Sequence, residues 1–230
     1  QEAGAEAAGA KGEEEADVLE SALSAWGEAY LHKDAKATEG MERFRGGPLA
    51  LLTRARHDTA RRKVVHAIAL LEEYTASHKV AVWAHHRDVQ AQLREAFGER
   101  AVGIDGDTAP EARAEAARRF QEEEAVRVFV GSIHAAGVGI TLTAASHVLF
   151  VEFDWSPMLM QQAEDRCHRI GQRNSVLVQY LFFAGTVDEL LAQKLAQKQI
   201  AISATLDGEL PTSPSSSSAS ASASASASAS

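Results

Sequence analysis

From residue 80 to residue 199 the chain alternates short β-branched or apolar runs with amphipathic stretches, and this alternation restricts the fold more than any other feature. The runs 80–84, 101–104, 126–130, 147–153 and 176–183 read as strands. The stretches 88–97, 110–123, 157–170 and 187–199 read as helices, the second opened by Pro110 in its first turn. Strands that are apolar throughout must be covered on both faces, and helices between consecutive strands allow them to run parallel. The pattern predicts an α/β domain: a doubly wound, mainly parallel sheet with helices on either side. In such sheets ligands bind beyond the carboxyl ends of the strands.

Composition divides the 230 residues into three zones. Residues 1–45 are rich in Ala, Glu and Gly, and Leu19, Leu23 and Trp26 at helical spacing predict a partly helical extension with a helix over 17–32. Residues 48–205 form the folded domain. Residues 206–230 end in a Ser/Ala repeat with too little apolar surface to offset the entropy of ordering, and are expected to be disordered. The chain begins with glutamine, so we expect it to be part of a longer protein.

A lone cysteine, Cys167, excludes an internal disulfide framework and a Cys-rich zinc site. No apolar run reaches the ~18 residues of a membrane span, and the N-terminus lacks the basic-then-apolar layout of a signal peptide. The formal net charge of −9 speaks weakly against a nucleic-acid partner. Its distribution reverses that: residues 1–20 hold seven acids and one lysine, whereas 41–66 hold seven bases and two acids. Local charge sets local potential. The basic run is therefore either a solvated helix face or a patch for an anionic partner.

Chemistry concentrates in two stretches. In 161–172, QQAEDRCHRIGQ, Ser156 and Pro157 supply a helix start and Gly171 a stop. On a continuous helix Gln161, Asp165, His168, Arg169 and Gln172 share one face, extended by Arg166 and Arg173, while Ala163, Cys167 and Ile170 share the other. Cys167 reads as a small packing residue. Arginine forks bind phosphate oxygens bidentately and can neutralise charge on a transferring phosphoryl group; the same face could equally be a surface of salt bridges. In 131–142, GSIHAAGVGITL, Gly137 and Gly139 allow close backbone approach, and the hydroxyls of Thr141 and Thr143 can donate to phosphate. Taken alone, GVG fits a tight turn as well as a phosphate site.

The ordered set VAVWAHH (80–86), IDGDT (104–108), RRFQ (118–121), GSIHAAGVGITLTAASHVLF (131–150) and QAEDRCHRIGQ (162–172) resembles the second, C-terminal RecA-like lobe of Swi/Snf-type superfamily-two helicase-like ATPases. The resemblance covers roughly residues 60–200. Its finer details are most similar to the annealing-helicase subgroup associated with replication-fork remodelling. It implies that Arg166 and Arg169 are arginine fingers reaching the phosphates of ATP with magnesium, bound mainly by a first lobe. Gln162 and Asp165 would position them, and Gly137 and Gly139 would line the nucleotide side. Thr141 and Thr143 would face the DNA backbone. His85 and His86 would either face DNA or serve to cap and pack; as a zinc pair they lack partners at a usable spacing. The implied partners are DNA, read through its backbone, and lobe 1 of the same polypeptide, with no membrane; the implied location is the nucleus.

No Gx₄GK[ST] run occurs in the 230 residues, and no apolar strand ends in a DExx box. Asp188–Glu189 instead opens the last predicted helix, where acids complement the helix dipole. The chain alone is therefore expected to be inactive as an ATPase. Two alternatives stand beside the annealing-helicase reading: the lobe of a chromatin-remodelling ATPase, and a non-catalytic DNA-binding module. A phosphate-binding metabolic enzyme is more remote, since no nucleophile or base suggests itself.

Overall fold

The structure, a computed structural model, describes residues 48–137 and 139–206. The expected extension 1–45, its helix over 17–32 and all of the Ser/Ala tail beyond residue 206 lie outside the described residues. Eleven named elements follow in order: α1 (Pro48–Thr75), β1 (Lys79–Ala84), α2 (Arg87–Phe97), β2 (Ala101–Ile104), α3 (Pro110–Glu122), β3 (Val128–Ser132), a short 3-10 turn (Ile133–Gly137), β4 (Ala145–Phe150), α4 (Pro157–Glu164), β5 (Leu177–Tyr180) and α5 (Val187–Leu206).

The five strands form one sheet in the order β2-β3-β1-β4-β5, with every pair parallel. Successive side chains on a strand point to opposite faces, and the packing follows. Val80, Val82 and Ala84 of β1 join a cluster with Ala60, Val64, Ala67 and Leu71 of α1 and Val89, Leu93 and Phe97 of α2. Ala81 and Trp83 join the other cluster, with Phe120 of α3, Met160 and Ala163 of α4 and Leu191 of α5. Helix α2 and most of α1 thus cover one face and α3, α4 and α5 the other, with Leu52 near the start of α1 reaching into the second cluster. The doubly wound parallel α/β fold expected from the alternation is the fold observed.

Three elements differ from expectation, the last helix running to Leu206 rather than to 199. Helix α1 spans 28 residues, although the strand–helix alternation in the sequence starts only at residue 80. Its buried positions 60, 64, 67 and 71 recur at helical spacing, but the charged residues between them dilute the signal. The same helix divides the basic run: Arg54, Arg61 and Arg62 are exposed, as a solvated face requires, while Lys63 is fully buried. The helix expected over 157–170 stops at Glu164, with consequences described below. Its start is as expected: Ser156 accepts a hydrogen bond from the Leu159 N–H at 3.4 Å and Pro157 opens the first turn.

Gly131 pairs with Trp83 across β3 and β1. A Cβ at Gly131 would lie 2.3 Å from the Cζ3 of Trp83, whose ring is fully buried. Gly131→Ala should therefore destabilise the domain by about 1–3 kcal/mol through overpacking. A urea midpoint equal to that of the wild type would show that the Trp83 ring moves aside freely.

Candidate functional site

The stretch 165–172 leaves the helix because its carbonyls are taken by other partners. Asp165 ends α4 as its C-cap. The Arg166 carbonyl accepts from the Leu142 N–H at 2.8 Å, and the Cys167 carbonyl accepts from the Gln172 side-chain amide at 3.1 Å. Neither accepts from the amide four residues on, and the helix is not continued. The shared helical face expected for Gln161, Asp165, His168, Arg169 and Gln172 is thereby corrected to a short helix followed by turns. Ile170, expected to be packed beside Ala163 and Cys167, is fully exposed, and Gly171 turns the chain at φ 108° in place of capping a helix. Cys167 is buried, and burial pushes its thiol up to about 12, which fits the packing role.

The turn is stitched to the segment leading into β4. Gln172 Nε2 donates to the carbonyls of Thr143 (3.1 Å) and Ala145 (2.7 Å), and Gln121 Nε2 donates to Thr143 Oγ1 (2.9 Å). Arg169 Nη1 donates to Thr141 Oγ1 at 3.3 Å. Residues distant in sequence, Arg166 and Arg169 on one side and Thr141 and Thr143 on the other, are thus brought together at the amino-terminal approach to β4. This is not the carboxyl edge of the sheet, where a ligand is expected by the general rule for such folds. Gly139, at φ 56°, lies on the same approach and Gly137 closes the 3-10 turn before it. Gln162 is half-buried on α4 and Asp165 is exposed beside Arg166.

Arg166 is the one arginine among the buried side chains of the described residues, 8% exposed. Its Nε is buried without a hydrogen-bond partner, and its guanidinium forms no ion pair among the described residues. Burial lowers its pKa, as does the neighbouring Arg169 cation, with Asp165 opposing; an arginine nevertheless stays charged. An anion at this guanidinium would supply the partner that its buried Nε lacks.

The carboxyl edge carries a second group. His85 and His86 follow β1, and both backbone N–H groups donate to Glu152 Oε2 at 2.9 Å. The His86 ring bonds Glu152 Oε1 at 2.5 Å and stacks on His57 with centroids 4.3 Å apart. Glu152, arriving from the end of β4, therefore fixes the backbone that enters α2, whose N-cap residue His86 makes no side-chain capping bond to the helix. Burial alone would raise the Glu152 carboxyl, but the His86 bond and the two amides hold it below the usual range. Sequence reasoning passed over Glu152, Asp154, Arg56 and Lys63. The signal available was two acids inside the apolar run 147–155, where charge is tolerated only with partners.

Residues 62–171 match the family model described as the helicase conserved C-terminal domain. Over these residues the chain is similar to helicase C-terminal domains. It is 43% identical over 135 residues to the mouse "DNA annealing helicase and endonuclease ZRANB3", covering 57% of this chain and 13% of that protein. It is also 43% identical over 136 residues to the Caenorhabditis elegans "SWI/SNF-related matrix-associated actin-dependent regulator of chromatin subfamily A-like protein 1 homolog", covering 56% of this chain and 20% of the relative. The chain thus matches only a small part of each of these longer relatives. Among solved structures, "the C-terminal part of Fun30 ATPase domain" superposes with a TM-score of 0.50 at 22% identity, covering 58% of this chain and 49% of the other, a likeness of fold. No helix of the described residues is long and apolar enough to cross a membrane.

Proposed function

We propose that this domain is the second motor lobe of an ATP-dependent DNA translocase of the annealing-helicase kind, acting in DNA repair or replication-fork remodelling in the nucleus. The observation that carries the reading is Arg166: buried, cationic and without a hydrogen bond or ion pair for its guanidinium among the described residues. An oligophosphate supplies what that guanidinium lacks. In this reading Arg166 and Arg169 meet the phosphates of ATP held, with magnesium, on a first lobe outside this chain. Gly137 and Gly139 line the nucleotide side, while Gln162 and Asp165 position the arginines. ATP supplies the phosphoryl chemistry; this chain supplies positive charge placed where negative charge develops.

Thr141, exposed, and Thr143, held by Gln121, would face the DNA backbone. His85 and His86 stand at the opposite edge of the sheet with their rings turned toward Glu152, His57 and His134. They would support a DNA-facing surface through their exposed rims. Closing and releasing the two lobes around ATP would then move the backbone grip along the duplex.

The test is DNA binding and DNA-stimulated ATPase of the complete protein. Binding should be independent of sequence, and its log–log salt slope should be about −0.9 for each phosphate contacted on duplex DNA. An affinity indifferent to salt would remove the backbone-grip reading. Forked DNA should stimulate turnover more than nucleosomes do. The reverse order would favour a remodeller, a reading suggested by the chromatin-regulator name of the nematode relative.

A further inference from the structure

The loops that leave the three central strands at their carboxyl ends meet in a group of side chains of which the motor reading uses only the exposed rim of His85. His85 follows β1, His134 lies in the turn after β3, and Asp154 follows β4. One potential ligand atom from each lies within 4.8 Å of the others, and His134 Nε2 is already 3.1 Å from Asp154 Oδ2. The rings of His85 and His134 have centroids 5.3 Å apart. In sequence these residues are 49 and 69 positions from His85, which is why spacing alone left His85 without partners.

We propose that His85, His134 and Asp154 bind a divalent transition-metal ion of the zinc class. Two imidazoles and a carboxylate are borderline donors that suit zinc and its neighbours better than magnesium or calcium, whose sites are built from oxygens. Tetrahedral coordination at about 2.0–2.2 Å places ligand atoms roughly 3.3–3.5 Å apart. The His134–Asp154 pair already has nearly that separation, and His85 needs a movement of about an ångström to complete three ligands, leaving a fourth position for water.

Three further features fit. Asp154 is buried, and its other oxygen, Oδ1, is fixed by the Ser156 N–H at 2.9 Å, so that Oδ2 faces His134 with its carboxylate already oriented. His85 has a buried Nδ1 without a hydrogen-bond partner among the described residues, a ring nitrogen left for a ligand. His134 is half exposed at 50%, which opens a path from solvent.

The charges around the group oppose and support a cation in turn. Arg56 acts on all three residues and Lys198 on Asp154. Both cations are engaged with backbone carbonyls, Arg56 at Phe153 (2.7 Å) and Lys198 at Trp155 (3.0 Å). The buried carboxylate of Glu152 stands beside His85 and adds negative charge. A bound ion would tie the exits of β1, β3 and β4 to one point, a structural clamp on this edge of the sheet. It requires neither ATP nor DNA, so its test is separate from that of the motor reading.

The test uses the whole 230-residue chain, titrated with zinc chloride against a chromophoric chelator, and with cobalt(II) followed by visible absorption. One ion per chain is expected, with a tetrahedral cobalt band and a melting temperature that rises with added zinc. His134→Ala, on a half-exposed side chain, should keep its far-UV circular dichroism, lose the band and weaken zinc at least about tenfold. His78→Ala, in the separate His78–His147 pair, should change nothing. Asp154→Asn provides a second ligand variant of unchanged shape. Absence of stoichiometric zinc in the wild type, or zinc binding unaltered by His134→Ala, overturns the proposal.

Discussion

Arg169→Ala in the complete protein is expected to cut DNA-stimulated ATP turnover by about 10³–10⁵-fold, the range for loss of a positioned arginine at a transferring phosphoryl group. DNA affinity should stay close to wild type, since in the proposed arrangement the backbone grip belongs to the threonine segment. Arg169 suits this test better than Arg166. It is exposed, and its one side-chain hydrogen bond among the described residues is the 3.3 Å bond to Thr141, so its removal leaves the core untouched. Arg166 is buried, and its truncation mixes lost charge with lost packing. Arg169→Lys is the sharper control: it keeps the charge and removes the planar fork. Single-turnover kinetics with forked DNA would give the number. Turnover within tenfold of wild type for Arg169→Ala would sink the finger assignment.

The second large effect lies far from phosphate chemistry. Asp188→Ala is expected to destabilise the domain by about 3–5 kcal/mol, against a total of about 5–15 kcal/mol for an ordinary domain. Lys63 of α1 is completely buried and its ammonium lies 2.7 Å from Asp188, which is 4% exposed at the start of α5. Burial pushes the Lys63 ammonium down and Asp188 opposes it, so removing the carboxylate strands a desolvated cation. The remaining contacts of Lys63, the Leu181 carbonyl at 3.1 Å and the Phe153 ring at 5.3 Å, are weaker substitutes. The double variant Lys63→Met with Asp188→Leu should recover most of the loss, because replacing both ions by apolar groups of similar size is often neutral. Urea unfolding of both variants decides it: a loss below about 1 kcal/mol for Asp188→Ala would mean that water reaches the pair.

This pair also changes what the acid was expected to do. Asp188–Glu189 reads, from its position, as complementing the dipole of the last helix. Asp188 does stand in the first turn of α5, but its carboxylate is aimed at Lys63, 125 residues earlier. Glu189 keeps a local role, accepting from the Gly185 N–H at 2.8 Å. Both roles occupy the same dipeptide. Only the long-range partner separates them.

What the sequence by itself determined is the layer order, because it depends on local periodicity. Continuous apolar runs must be strands buried on two faces, and the amphipathic stretches between them must be helices; the five parallel strands follow. The two candidate stretches, 131–142 and 161–172, were legible too, since the residues within each sit close together in the chain. Three things were decided only by tertiary structure. The turn at 165–172 exists because Leu142 and the Gln172 side chain capture carbonyls that a helix would use, and no local preference reports that competition. The burial of Lys63, Glu152, Asp154 and Arg166 follows from which elements pack over them, whereas in sequence each is one more charged residue. The meeting of His85, His134 and Asp154 follows from parallel strands, whose carboxyl ends all finish on one edge and bring distant loops together. Short-range periodicity is written in the chain; the partners of buried charges depend on contacts between residues dozens of positions apart, and those come only with the fold.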